Sequence, residues 1–326
     1  MQRKKHKLSV VIPVFNSEKT IGGLVDEIMR VLDDYNFEIV LVNDASKDNS
    51  HAVCVEKQIE NPKIVRYFRL SRNFGEHNTV IAGLNQCIGD YAIIMDDDFQ
   101  NPPEEIIKVY EYMLNNHYDV IYTRYEHKKH NWFRNFGSWM NDRMSVLLLK
   151  KPENLYLSSF KCVNRFIINE ITKYRAPYTY IDGLILRVTA NIGQMTVVHH
   201  ERKEGKSNYT LWKLTSLWLN MFINFSVLPL RISFMIGALL TLFGVGMIIY
   251  FILLMLVFDP YGEWPAGWPS LIVCVITFSG AQLISLGLIG EYLGKMYLSY
   301  NSTPQFIIKE HLDAISDEIR LGGKQS

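Results

Sequence analysis

An α/β domain on a mainly parallel sheet, followed by a membrane anchor, is the fold class this sequence predicts. Three observations predict it. Five apolar strand candidates recur about 27 residues apart, which leaves room in each unit for a strand, a helix and two loops. The segments between them carry helical periodicity: Val80, Ile81, Leu84, Cys87 and Ile88 fall on one helix face. Lastly, no charged residue occurs from Ile232 to Phe258 or from Pro269 to Gly290. Each run exceeds the roughly 20 apolar residues that cross a bilayer as a helix. Strands alternating with helices imply three layers, with helices on both faces of the sheet.

The first strand, LSVVIPV, begins at Leu8 after the basic segment MQRKKHK. Its apolar part is short, β-branched and broken by Pro13, with no small-residue cleavage site, so it reads as a strand and not a signal peptide. The second begins at Phe37 (FEIVLVN), the third at Ile64 (IVRYFRL), the fourth at Tyr91 (YAIIM) and the fifth at Tyr118 (YDVIY). The fourth runs directly into Asp96, Asp97 and Asp98, then Gln100 and the pair Pro102-Pro103. Those prolines, with Glu104 and Glu105, mark the first turn of the next helix.

The aspartates therefore sit at the carboxyl edge of the sheet, where open α/β sheets bind ligands. Alternation along a strand turns Asp96 and Asp98 one way and Asp97 the other. Crowded carboxylates repel one another unless a cation neutralises them. Oxygen-only ligands suit Mg²⁺ or Mn²⁺, ions that bridge a carboxylate pair to a diphosphate. The competing reading is a solvated acidic turn that caps the helix. No GxGxxG follows the first strand and no GxxxxGK[ST] occurs, so neither a dinucleotide fold nor a P-loop is indicated. The first strand ends in Pro13 to Glu18 and the second in Asn43 to Asp48, both on the edge that holds the aspartates. An aromatic ring and a carboxylate there suit a nucleobase; the alternative is that Asp44 and Ser46 only cap the following helix.

Net charge is +1, from 34 basic and 33 acidic residues, which lacks the basic footprint of a nucleic-acid binder. Cysteines at 54, 87, 162 and 274 form no CxxC, as expected of reduced thiols facing the cytosol. Residues 1–210 read as a soluble catalytic domain. Residues 211–231, interrupted by Lys213 and Pro229, read as an interfacial amphipathic segment. Residues 232–295 hold two expected spans, about 232–258 and 269–293, and 296–326 form a cytoplasmic tail. Arg231 and Lys295 flank the spans, while the connector carries Asp259 and Glu263 and no Lys or Arg. The positive-inside tendency then puts both termini in the cytoplasm and the chain in the inner membrane as a multi-pass protein. Tyr261, Trp264 and Trp268 suit an interfacial aromatic belt, Gly290 with Gly294 forms a GxxxG that suits close helix packing, and packing of membrane helices suits a homo-oligomer.

The segments VVIPVFNSE, VNDASKD, LSRNFGEHNTVIAGLNQCIGDY and IIMDDDFQNPPE, in this order and spacing, closely resemble family 2 glycosyltransferases. The two apolar runs, with HHERKEGKSNYTLWKL and GEYLGKMY, narrow the resemblance to the polyprenyl-phosphate branch, which includes dolichyl-phosphate mannose synthases and bacterial undecaprenyl-phosphate glucosyl and aminoarabinosyl transferases. It covers residues 7 to 310. The QxxRW of the processive synthases is absent. The resemblance implies a GT-A fold, a nucleotide-sugar donor with uridine diphosphate as the expected carrier, a polyprenyl phosphate acceptor, a divalent metal and inversion at the sugar carbon. Residue by residue, it implies that Pro13, Phe15, Glu18 and Asp44 line the nucleobase and ribose. Asp96 and Asp98 would serve the metal and diphosphate, Gln100 the metal, and Asp97 the donor side.

By the same resemblance, Arg202, Lys206 and Ser207 would close over the diphosphate. Arg124 and Arg134 would meet the lipid phosphate, with Ser159 on the acceptor side. Many bacterial relatives carry an Asp, suggested as a catalytic base, where this chain has Ser159. Either Asp182 supplies that carboxylate, or no strong base is needed because a phosphate monoester is already largely ionised at neutral pH. The second reading is the one adopted. A membrane-tethered transferase with a soluble acceptor, and a scaffold with an inactive transferase fold, are the rival functions.

Overall fold

The computed structural model describes residues 6–125, 151–152, 155–177, 179–200, 228–258, 267–301 and 303–312, in part of the last helices by backbone alone. The chain divides into two compact units, Met1–Thr210 with Ser302–Ser326, and Leu211–Asn301.

In the first unit the predicted alternation is present. β1 (Leu8–Val14), α1 (Ile21–Val31), β2 (Phe37–Asn43), α2 (Ser50–Glu60), β3 (Val65–Leu70), α3 (Glu76–Gln86), β4 (Tyr91–Ile94), α4 (Glu104–Asn116) and β5 (Val120–Tyr125) follow in order. β6 (Lys161–Asn164), α5 (Arg165–Ile171), α6 (Ile181–Val188) and β7 (Ile192–Val197) come next, and β8 (Ile308–Leu312) closes the set. The sheet order is β7-β5-β6-β4-β1-β2-β3-β8. β1 pairs in parallel with β2 and β4, β2 with β3, and β5 with β7. β6 runs antiparallel to both β4 and β5, and β8 antiparallel to β3.

The central strands are apolar on both sides because both faces are covered. Leu8, Val10, Ile12 and Val14 of β1 pack with Ile21, Leu24, Val25 and Ile28 of α1 and with Ile106, Val109, Tyr110 and Met113 of α4. Val11, Val40 and Val42 face the other layer, among Val80, Ile81 and Leu84 of α3 and the isoleucines of α5 and α6. Each such fully buried side chain contributes about 1.5–3 kcal/mol. Gly83 lets α3 lie close to the sheet: a Cβ there would meet Val11 Cγ1 at 2.5 Å and Val42 Cγ2 at 3.1 Å. Ile88, expected on the α3 face, lies past the helix end and is exposed. One buried charge pair braces the edge away from the site: Arg66 Nη1 lies 3.3 Å from Glu38 Oε2, and Glu38 Oε1 accepts Ser9 Oγ and the Ile88 N–H, each at 2.6 Å.

The second unit contains α7 (Leu228–Phe258) and α8 (Trp268–Tyr300), of 31 and 33 residues. Ser233 Oγ and Ser285 Oγ meet at 2.8 Å between them. Among the described residues no helix is long and apolar enough to cross a membrane. The sequence carries no charge from Ile232 to Phe258. Phe234, Leu239, Leu242, Leu283 and Ile284 are all exposed apolar side chains. Among the described residues nothing lies within 4 Å of where a Cβ would stand on Gly290 or Gly294, so no described α7–α8 contact runs through the GxxxG.

Candidate active site

The strand order reverses at β1, which stands between β2 on one side and β4 on the other. In open α/β sheets the ligand crevice lies outside the carboxyl ends of the strands at such a reversal, here β1 and β4. Parallel and antiparallel pairings together bring the carboxyl ends of β1, β2, β4, β5 and β7 and the start of β6 to this one edge. Three of the four non-glycine residues with positive φ among those described lie in its loops: Asn16 at 54°, Ala45 at 54° and Phe99 at 59°. Such strain persists only where the surroundings impose it, and it concentrates at functional sites.

The surroundings are visible. The loops after β1 and β2 are cross-braced: Asn16 N–H donates to Ser46 Oγ at 3.1 Å, and Lys47 N–H to Asn16 Oδ1 at 2.9 Å. Ser17 N–H donates to Ser50 Oγ at 2.8 Å, Glu18 N–H to Asp48 Oδ2 at 3.1 Å, and Asn49 N–H to Glu18 Oε2 at 2.8 Å. Glu18, expected against the base, thus also serves as an interloop acceptor. Asp44, expected beside it, is only 3% exposed and accepts Phe74 N–H at 2.7 Å and Gly75 N–H at 2.9 Å. Burial raises its carboxyl above the usual range against the pull of those two amides. Gly75 has φ 87°, a conformation that glycine adopts without penalty. Asp44 therefore clamps the end of β2 to the start of α3. Pro13 is half-buried in β1, and Phe15 stands 46% exposed at the crevice mouth.

The three aspartates part company. Asp97 turns toward β1, where its Oδ2 accepts Phe15 N–H at 3.1 Å. Burial pushes its carboxyl up to about 6; Ser17 and Phe15 oppose that, and the charges of Asp96 and Asp98 add to it. Asp96 Oδ2 accepts the Ser159 hydroxyl at 2.6 Å, and Asp98 Oδ1 accepts Gln100 N–H at 3.1 Å. The Gln100 carbonyl accepts His200 N–H at 2.8 Å, tying this loop to the end of β7. Ser159, expected on the acceptor side, is thus a partner of a predicted metal ligand. At the rim Glu76 opens α3, its tip open to solvent, and the desolvation imposed by its neighbours together with the charge of Asp96 raises its carboxyl, a rise that solvent screening moderates.

Among the described residues no three His, Cys, Asp or Glu side chains converge as a metal-holding group. The donor set on offer is two carboxylates and an amide oxygen, which fits a hard cation that keeps waters and substrate phosphate in its shell. Asp182 is elsewhere in character. It is 7% exposed, pairs with the Lys161 ammonium, and accepts the Tyr122 hydroxyl at 2.9 Å. Arg124 is exposed near the end of β5, beside Tyr125, which stacks on His199 at 3.9 Å. Arg134, Arg202, Lys206 and Ser207, with residues 211–227 of the interfacial segment and Tyr261 and Trp264 of the connector, lie outside the described residues.

Residues 9–172 match the family described as Glycosyl transferase family 2. The chain is 31% identical over 318 residues to the undecaprenyl-phosphate 4-deoxy-4-formamido-L-arabinose transferase of Yersinia enterocolitica, covering 97% of this chain and 96% of that one. Among solved structures it resembles mannosyl-3-phosphoglycerate synthase from Rubrobacter xylanophilus, at TM-score 0.52 and 16% identity over 66% of this chain and 71% of that one. It also resembles the Mycobacterium tuberculosis glucosyl-3-phosphoglycerate synthase solved with Mn²⁺ and uridine-diphosphate-glucose, at TM-score 0.50 and 15% identity over 65% and 75%. These two likenesses concern the fold, a mixed α/β sheet of GT-A type with flanking helices. With aspartates at the carboxyl end of β4 beside the β1 reversal, a family match across half its length and a relative 31% identical over nearly the whole chain, this chain belongs to glycosyltransferase family 2.

Proposed function

We propose that the chain moves a sugar, with inversion, from a nucleotide-diphosphate donor to a polyprenyl phosphate at the cytoplasmic face of the inner membrane. The observation that carries this reading is the near full-length similarity to a transferase named for an undecaprenyl-phosphate acceptor, which extends through the apolar helices beyond the catalytic unit. Residues 1–210 are the catalytic domain, 211–231 the interfacial segment, 232–258 and 269–293 the membrane helices, and 296–326 the cytoplasmic tail with β8 returned to the sheet. The lack of charge from Ile232 to Phe258 and from Pro269 to Gly290 supports the crossings.

Asp96, Asp98 and the Gln100 amide would hold a divalent cation, Mg²⁺ or Mn²⁺, which supplies charge neutralisation for the departing diphosphate when bound. Phe15 offers its exposed ring to a base, uracil in the expected donor, with Pro13 and Glu18 beside it. Asp44 and Asp97 act one step back, holding the loops that carry these groups. Arg202, Lys206 and Ser207 close over the diphosphate and exclude water. Arg124 and Arg134 receive the acceptor phosphate.

That phosphate monoester has a second pKa near ~6 and arrives ionised, so positioning replaces a strong base. Asp182, committed to Lys161 and Tyr122, supports the core of the site and removes no proton. The test supplies a panel of labelled nucleotide sugars to the full chain in undecaprenyl-phosphate vesicles. The expected product is an organic-extractable, mild-acid-labile labelled lipid. Label that enters only a water-soluble product, or no product with any donor, refutes the reading.

A further inference from the structure

A polar network, hydrogen-bonded as far as His51 and continued to β8 by longer charge contacts, leads from the carboxyl edge to the far edge of the sheet, and the reaction itself does not call on it. Tyr67 of β3 is fully buried, with Leu41 of β2 as its neighbour on one side and Leu312 of β8 on the other. Its hydroxyl meets Asn43 Nδ2 at 3.1 Å and His51 Nδ1 at 2.8 Å. An amide NH₂ only donates, so the Tyr67 oxygen accepts from Asn43, and the same hydroxyl is hydrogen-bonded to His51. His51 Nε2 in turn lies 4.0 Å from Glu310 Oε2 of β8. Glu310 also lies 3.8 Å from Arg69 Nη1, and Ser71 N–H donates to the Ile307 carbonyl at 2.9 Å, seating β8 on β3.

At its other end the network enters the donor side. Asn43 Oδ1 accepts Ser46 N–H at 2.8 Å, closing the turn in which Ala45 is held at φ 54°. Ser46 Oγ accepts Asn16 N–H, and Phe15, the next residue back, is bonded to Asp97. One connected chain of side chains therefore runs from β8 through His51, Tyr67 and Asn43 to the two strained loops at the crevice. Asn43 is the hinge of the arrangement, because its amide must give its NH₂ to Tyr67 for its oxygen to face Ser46.

We infer that Tyr67 and His51 are positioning residues for the donor loops, and that the C-terminal strand β8, through Glu310, is the outer clamp that completes the nucleotide site. The catalytic unit is thus completed only when the chain has returned from its second helix. The inference rests on the proposal that the loops after β1 and β2 hold the donor.

The test uses the full-length enzyme and the variants Tyr67→Phe, His51→Gln and Glu310→Gln. Loss of one net hydrogen bond corresponds to about a fivefold effect. Tyr67→Phe is expected to raise the KM for the nucleotide sugar ~5-fold, with kcat and the KM for the lipid acceptor within about twofold. Glu310→Gln, at the partly exposed edge, gives a smaller change in the same direction. Hydrogen exchange at the Ser46 and Lys47 amides is expected to quicken in all three.

A lowered Tm with unchanged donor KM and unchanged exchange at those amides overturns the inference and leaves the network a packing device. If Tyr67→Phe fails to fold, Glu310→Gln decides alone by the same two readouts. Exchange is read without substrate, so the coupling from β8 to the loops stands or falls separately from the donor assignment. Faster exchange in an enzyme that binds no nucleotide sugar refutes the proposed donor and keeps the coupling.

Discussion

Removing the Ser159 hydroxyl tests how the acidic pair is held. Ser159 donates to Asp96 Oδ2 at 2.6 Å, a hydrogen bond to a charged acceptor, worth about 1.5–3 kcal/mol. Both side chains are part-exposed, which puts the value near the lower bound, about 1.5 kcal/mol. At about 1.4 kcal/mol per factor of ten, Ser159→Ala is expected to weaken divalent-ion affinity ~10-fold. That matches the scale on which partners of metal ligands act. The mechanism is orientational: with Oδ2 released, the carboxylate is no longer fixed in the rotamer that presents it to the cation. Mn²⁺ titration of transfer activity, paired with direct Mn²⁺ binding by electron paramagnetic resonance, reads the effect. Activity at saturating Mn²⁺ returns to within a few-fold of the parent. Ser159→Asp sets a carboxylate against Asp96 instead, and repulsion raises the pKa of the pair, so metal binding shifts to higher pH. Unchanged Mn²⁺ affinity in Ser159→Ala refutes the assignment of Ser159 as the support of Asp96.

Asp182→Asn leaves the buried Lys161 charge without its counter-ion, which costs about 3–5 kcal/mol. Thermal denaturation is expected to show a large fall in Tm, while kcat per folded molecule changes less than about threefold; a loss of kcat with unchanged Tm would restore Asp182 as a base. Gly83→Ala drives a methyl into Val11 and Val42 and is expected to cost about 1–3 kcal/mol, read as a lower Tm; an unaltered Tm contradicts the close approach of α3. Asp97 gives a pH signature. Its folded pKa, about 6, lies above the ordinary 3.8, so its contribution is full below pH 3.8 and is lost as pH rises through about 6. Metal-free protein should therefore lose stability across that window, and Asp97→Asn should flatten the loss; parallel curves for the two proteins argue against a buried Asp97.

The five strands that rise from apolar runs were legible because two-sided burial writes them as continuous hydrophobic segments. The same burial explains why the aspartates at the end of β4 could be read as a site. β6 was not legible: KCVN is four residues long, starts with a lysine, and gains its partners only from β4 and β5. β8, IKEHL, alternates on a sheet edge far along the chain from β3, a pairing that no local pattern announces. The side-chain contacts were less legible for a related reason. The resemblance implies ligand-facing roles for Asp44, Glu18 and Ser159, and their oxygens also reach backbone amides or another site residue, contacts set by tertiary neighbours that no local pattern announces. Tyr67 and His51 left no sequence signal, since a buried tyrosine in a strand reads as packing.

Mn²⁺-dependent binding of the nucleotide-sugar donor to the purified full chain, measured by calorimetry, tests the central claim most directly. The account predicts binding that disappears with excess chelator and in Asp98→Asn, and that survives in Asp182→Asn protein that remains folded. Donor binding that is indifferent to both chelator and Asp98→Asn contradicts it.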